Sequence, residues 1–382
     1  MNAAPPHAYL DHNATTPVDP AVAAEMLPWI LERFGNAASV HAWGIEARKA
    51  IDAARVRVAE MLGARPEEIV FSSGGSESNN TVVKGVASLP GSKGRHIIVS
   101  SVEHPCILEP CASLEAQGFR VTRLPVDALG RVDPGDVERA IARETILISV
   151  MHANNEVGTI QPIEAIAAIA RSRGVPFHTD AAQSIGKIPV NVDDLGADFL
   201  SLAGHKFNAP QGVGALYVRS GHTVPALIQG AGHQQGRRSG TENVAGIVGL
   251  GRACSLVTER LDTTGFHLRA MRDRLWSGLA RSFPGLRRNG DPEGGLPNTL
   301  SVSFRGIPAS TLLQEIGDRV AASAGAACHA DGVRLSTTMK AMNVPVEDAM
   351  GTVRFSSGRT TTPAEIDAAI DVVTAAVRRM HG

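Results

Sequence analysis

The stretch TILISVMHANNEVGTIQPIEAIAAIARSRGVPFHTDA, residues 145–181, sets the fold class. It opens on a β-rich apolar run, TILISVMHA (145–153), and closes on another, PFHTDA (176–181), with the helical pattern IEAIAAIARSRG between them. Continuous apolar strands separated by amphipathic helices predict parallel strands covered on both faces. The same alternation extends outward through EIVFSS (68–73), HIIVSS (96–101), RVTRLP (120–125), DFLSLA (198–203) and VGALYVR (213–219). The expectation is an α/β protein with a mainly parallel sheet. Two helices precede it, near 19–33 and 43–62; in the second, Ile45, Ala47, Ile51, Ala54, Val58 and Leu62 form a helical stripe. The Gly- and Arg-rich run GAGHQQGRRSGTENVA (230–245) reads as a functional loop. Beyond about 265 a long helix (265–282), the strands TLSVSF and TVRFSS and a last helix from about 363 predict a smaller α+β domain.

Bulk properties narrow the function classes. The 382 residues suffice for two domains, and 43% apolar with 20% charged residues is ordinary for a globular protein. A formal net charge of −1 predicts no bulk attraction to nucleic acid or to an anionic membrane. No run approaches the roughly 20 apolar residues of a membrane span, and the start MNAAPPHAYLDHN lacks the pattern of a signal peptide. The cysteines at 106, 111, 254 and 328 are scattered, so a cytoplasmic, disulfide-free protein without a metal set is expected.

Several short runs carry chemistry. In FSSGGSESNN a strand gives way to two glycines and a helix near Ser76. Free amides at such a helix start suit a phosphate; the plain alternative is a turn capped by Ser76 with Glu77 in the first turn. In HTDAAQ, His178 and Asp180 share a strand face. A carboxylate at that strand end can hold a proton on a heteroaromatic nitrogen, or merely cap the next turn. Lys206, in SLAGHKFNAP (201–210), ends an apolar run. It is either a loop residue reaching solvent or a reactive amine with a lowered pKa. A phosphate cradle, a strand-end carboxylate and such an amine, in that order, suit pyridoxal phosphate. His104 (EHP) also falls at a strand end, and Asn154 and Asn155 either reach a ligand or form a turn. SAGAACHADG places Cys328 among small residues, which describes a mobile, accessible loop suited to a nucleophilic thiol. Arg354, in TVRFSSGRTTT, is either a carboxylate clamp or a surface strand arginine.

The ordered set YLDHNATTP, FSSGGSESNN, EHP, NNEVGTIQP, HTDAAQ, SLAGHKF, GRRSGTENV and TVRFSSGRTTT resembles the NifS/IscS-type cysteine desulfurases and their sister selenocysteine lyases, from about Tyr9 to Thr362. The resemblance implies a fold-type I pyridoxal phosphate enzyme of the class V aminotransferase group, a homodimer acting on L-cysteine or L-selenocysteine and passing sulfur or selenium to an acceptor protein. It implies a large domain over 16–262 and a small one from 1–15 plus 263–382. By motif position it implies Lys206 as the cofactor-binding amine, Asp180 at the pyridine nitrogen, Gln183 at the ring hydroxyl, His104 on the ring and in proton transfer, and Asn155 at ring and substrate. Gly75, Ser76 and His205 would hold the phosphate, with Thr241 arriving from the other subunit. Arg354 would take the substrate carboxylate, with Asn13 nearby, and Cys328 the chalcogen.

The family usually has a serine or threonine three residues before the lysine; here Ala203 stands there. One hydrogen bond of roughly 1–3 kcal/mol to phosphate is missing, which predicts weaker cofactor retention. GAACHADG is similar to the selenocysteine lyase version of its loop, so a selenocysteine preference is the alternative to cysteine. Transamination or racemisation on the same scaffold is a further alternative that needs no accessible thiol at Cys328, and a catalytically dead scaffold has no need of Lys206, Asp180 and Arg354 together.

Overall fold

A computed structural model describes residues 8–89, 94–329 and 332–381, with side chains described except at 326–334 and 381. Strand β1 (Ala8–Tyr9) precedes helices α1 (Pro20–Leu31) and α2 (Ala42–Leu62). Then follow β2 (Ile69–Ser72), α3 (Gly75–Ala87), β3 (His96–Ser100), α4 (Pro105–Glu115), β4 (Arg120–Leu124), α5 (Pro134–Ala140), β5 (Thr145–Ser149), α6 (Ile163–Ser172), β6 (Phe177–Asp180), β7 (Phe199–Ala203) and β8 (Gly214–Val218). These strands form one seven-stranded sheet in the order β2-β8-β7-β6-β5-β3-β4. β7, β6, β5, β3 and β4 pair in parallel, while β8 runs against both neighbours. The α/β expectation with a mainly parallel sheet therefore holds.

Alternation along the strands builds two apolar layers. Ile98, Ile148 and Leu200 face one cluster that also takes residues of α2, α6 and the first half of α7 (Val244–Ser282). Ile97, Val99, Leu147 and Phe199 face the other, formed with α3 and α4. After α7 follow β9 (Arg287–Asn289), β10 (Thr299–Ser303), β11 (Val320–Ala321), β12 (Ser323–Ala324), β13 (Ala326–His329), β14 (Gly332–Leu335) and β15 (Thr352–Ser356). A third cluster joins Ala8 and Leu10 to the second half of α7, to the antiparallel pair β10 and β15, and to the last helix, Pro363–His381.

Two expectations need correction. The helix expected from 265 begins at Val244, and its 39 residues run across the expected domain boundary at 262/263. Glycines at 246, 249 and 251 lower helix propensity there, but they serve packing: a Cβ on Gly251 would stand 2.8 Å from the Cα of Ala54 on α2. In the α2 stripe, Ala47, Ile51, Ala54, Val58 and Leu62 are buried, whereas Ile45, in the first turn, is 42% exposed.

Candidate active site

The carboxyl ends of β6 and β7, the start of α3, the 13–14 turn and β15 surround one cavity of about 410 Å³, a volume suited to a small cofactor with its substrate. Gly75 and Ser76 form one wall. α3 starts after Gly74, whose φ of +147° only glycine adopts readily, and no side chain caps the helix. The cap is thus not Ser76. Glu77 turns back to accept from the Ser73 amide at 2.9 Å and from Arg238, leaving the first-turn amides for an anion.

Opposite stands Asp180, at the end of β6. Asp180 lines the cavity; its Oδ1 accepts from the Ala182 amide at 2.9 Å, the plain turn-capping role, while Oδ2 accepts from the buried Asn79 Nδ2 at 2.7 Å. His178, which shares the strand, is fully buried between Ser149 and Ser201 and does not reach the cavity. Lys206 ends a short turn after β7, and its Nζ donates to the carbonyls of Asn13 (2.6 Å) and Ala14 (2.7 Å). Burial lowers its pKa to about 8, with the Arg354 charge adding to the effect. It is therefore the partly buried amine of lowered pKa and not a solvent-reaching loop lysine.

Arg354 is buried, not a surface residue. Its Nη2 donates to Asp11 Oδ1 at 2.7 Å and its Nη1 to the Asn155 carbonyl at 3.0 Å, while its buried Nε has no partner, an unspent donor beside the cavity. Gln183 Nε2 donates to the Asn13 carbonyl at 3.0 Å, and His205 lines the wall with Nδ1 3.1 Å from Thr15 Oγ1. Burial lowers the His205 pKa to about 4. His104 N-caps α4 and also lines the cavity; burial lowers its pKa, Asp180 opposing and Lys206 adding.

Gly75, Ser76, His104, Asn155, Asp180, Gln183, His205, Lys206, Asn13 and Arg354 thus face one space. Thr241 does not: it is exposed, just before α7. Cys328 lies on β13 (Ala326–His329), opposite Val333 of β14 (Gly332–Leu335), so its backbone belongs to a strand hairpin where a mobile, accessible loop was expected; its side chain lies outside the described residues. Asn79, Cys106, Asp11 and Lys187 escaped the sequence reading. Lys187 is buried, with Nζ donating to Gln183 Oε1 (2.8 Å) and Asn13 Oδ1 (3.1 Å), which fixes both amides. Only the i, i+4 spacing from Gln183 could have hinted at it.

The residues fit pyridoxal phosphate: an uncapped helix start for phosphate, a buried carboxylate for a protonated ring nitrogen, an amine of lowered pKa and an arginine with a spare donor. No group of three or more metal-ligating side chains occurs among the described residues, and no helix among them is long and apolar enough to cross a membrane.

Comparison with known proteins agrees. The Aminotransferase class-V family profile matches residues 8–369. The cysteine desulfurase IscS of Dictyoglomus turgidum is 44% identical over 374 residues, 98% of this chain and 95% of the relative. The IscS of Methanosarcina thermophila is also 44% identical, over 98% and 92%. A solved NifS-like protein superposes with a TM-score of 0.91 at 39% identity, covering 97% of this chain and 98% of its own. SspA in complex with cysteine gives 0.81 at 37% identity, over 93% and 100%. These relatives do not favour the selenocysteine reading of the GAACHADG loop. The chain belongs to the class V aminotransferases and, within them, to the pyridoxal phosphate-dependent cysteine desulfurases.

Proposed function

We propose that this desulfurase works through the residues gathered in the cavity, yielding L-alanine and a persulfide on Cys328. Bound pyridoxal phosphate supplies an electron sink for bonds broken at the substrate's Cα and Cβ. Gly75, Ser76 and His205 hold its phosphate, Asp180 its ring nitrogen and Gln183 its ring oxygen, with Asn155 beside the ring. Arg354 takes the substrate carboxylate, with Asn13 shaping that end. Lys206, with a pKa near 8, is neutral in a useful fraction at neutral pH and takes the Cα proton. His104 moves a proton near the leaving sulfur. The Cys328 thiolate attacks that sulfur: an S–S bond forms, the Cβ–S bond breaks, and its electron pair stays with the fragment that takes up protons and leaves as alanine.

The observation that carries this reading is the convergence of Lys206, Asp180 and Arg354 on one space below an uncapped helix start. Purified protein is expected to be yellow, and borohydride to fix the cofactor on Lys206. Cys328→Ser is expected to stop alanine formation from L-cysteine; full alanine yield from that variant would falsify the persulfide route.

The working unit we propose is a homodimer that delivers sulfur to an acceptor protein. α1, α2 and their connection expose Leu31 (67%), Phe34 (79%), Val40 (87%) and Trp43 (57%), an apolar surface of the kind that marks an interface. Thr241, outside its own cavity, then serves the partner's phosphate. A large domain over 16–262 and a small one from 1–15 plus 263–382 are supported by their separate apolar clusters. Sedimentation at twice the chain mass is expected.

A further inference from the structure

Cys106 lines the cavity between His104 and Asn79, and the mechanism above makes no use of it. Its hydrogens can be placed by elimination. The Cys106 backbone N–H donates to His104 Nδ1 at 3.2 Å, and a backbone amide can only donate. Nδ1 is therefore an acceptor, and the neutral ring carries its proton on Nε2. The Cys106 sulfur lies 2.9 Å from the same Nδ1, so the hydrogen of that contact sits on sulfur. On its other side the sulfur accepts: Asn79 Nδ2 donates to it at 2.9 Å and to Asp180 Oδ2 at 2.7 Å, spending both amide hydrogens.

We infer that Cys106 is a positioning residue of the desulfurase reaction: its S–H, oriented by Asn79, holds His104 as the Nε2–H tautomer and joins the imidazole to Asp180. Two donors converge on Nδ1, and both stabilise the neutral ring. Burial and the Asp180 charge push the Cys106 thiol up to about 12, which keeps the hydrogen on sulfur. The cavity thus holds a thiol that donates a hydrogen bond and does not compete with Cys328 for the transferred sulfur. The titratable groups facing His104 are Cys106, Asp180 and Lys206. The inference rests on the proposed function only for the use made of His104.

The test is the tautomer and titration of His104 by long-range ¹H–¹⁵N correlation on ¹⁵N-histidine-labelled, pyridoxal phosphate-loaded enzyme, with His104→Gln assigning the signal. The expected result is Nε2–H in the parent protein. Cys106→Ala, which keeps only the amide donor, should raise the His104 midpoint by about half a pH unit. Cys106→Ser, which restores a donor, should return it, and the acid limb of kcat/KM for L-cysteine should follow. An Nδ1–H signal in the parent protein, which needs no variant to fold, overturns the inference, as does an unmoved midpoint in Cys106→Ala. The tautomer is readable whether or not the protein acts on cysteine, so its failure is distinct from failure of the proposed function.

Discussion

Ala203 places a methyl group on the cavity wall, 3.4 Å from where a Cβ on Gly75 would stand, beside the uncapped start of α3. A hydroxyl there would face the same anion as the free amides. Ala203→Ser is expected to slow pyridoxal phosphate loss and tighten binding by roughly 1–3 kcal/mol, on the order of 5- to 150-fold. Fluorescence titration of the cofactor-free protein reads this, and equal affinity in the two proteins removes the argument. Lys206 carries a second prediction at this scale. Only the neutral amine is a nucleophile, so reductive trapping of pyridoxal phosphate should quicken about tenfold per pH unit up to about 8 and then level. An ordinary lysine keeps accelerating toward 10.5, and that outcome would show the burial to be ineffective. The residues legible in the sequence were those whose type and strand-end position already implied a task, such as Asp180 and Lys206. Lys187 and Cys106 were not legible because each also needs a distant partner, Asn13 and Asn79 respectively, that meets it only on folding.

Among the elements, α3 carries the clearest conformational demand. Gly74 adopts φ +147° and ψ −175°, and a Cβ added there meets nothing within 4 Å. The cost of Gly74→Ala is therefore backbone strain alone, about 1–3 kcal/mol. We expect a lower urea midpoint together with weaker pyridoxal phosphate binding, because relief of the strain rotates the first-turn amides away from the cavity. Unchanged values for both would mean that the turn relaxes freely. The strand–glycine–helix run was readable as sequence because glycine pairs after an apolar strand have few other uses. Strand ends and α7 were less readable. β5, expected to reach 153, ends at Ser149, although the amides of Val150 and His152 still bond to the carbonyls of His178 and Asp180 beside it. The first half of α7 hid behind glycines whose purpose is contact with α1 and α2, and local propensity carries no record of that contact.

Across the whole molecule, buried histidines should set the acid limit of stability. His178 joins β6 to Ser149 and Ser201, and His96 bridges Thr145 and Thr122, each as a neutral ring between hydroxyls. Burial lowers the pKa of His12, His96 and His152 to about 4 and of His178 to about 3, from 6.5. A group depressed in the fold binds its proton first in the unfolded chain, so each removes stability as pH falls from 6.5 toward its folded value. Above 6.5 these four are neutral in both states and contribute no slope. Other buried groups act there, Glu103 and Lys187 among them. Glu103, raised to about 8 by burial, holds a proton that the unfolded chain releases above 4.5, so its contribution falls as pH rises through that window. Lys187, pushed well below 10.5, acts in the opposite sense because the unfolded chain gains its charge. Their slopes have opposite signs and oppose one another wherever both titrate, which predicts a weaker pH dependence above 6.5 than below it. Below 6.5 the four histidines outnumber Glu103, each at about 1.4 kcal/mol per pH unit once charging is complete. Urea midpoints at fixed protein and cofactor concentration should change less between pH 7 and 8 than between pH 6.5 and 5, where they should fall steeply. Replacing His178 with Gln, which keeps a donor and an acceptor between the strands but does not titrate, should make that fall shallower. A slope at pH 5–6 identical to the parent's would mean that His178 is charged, or free to charge, inside the sheet.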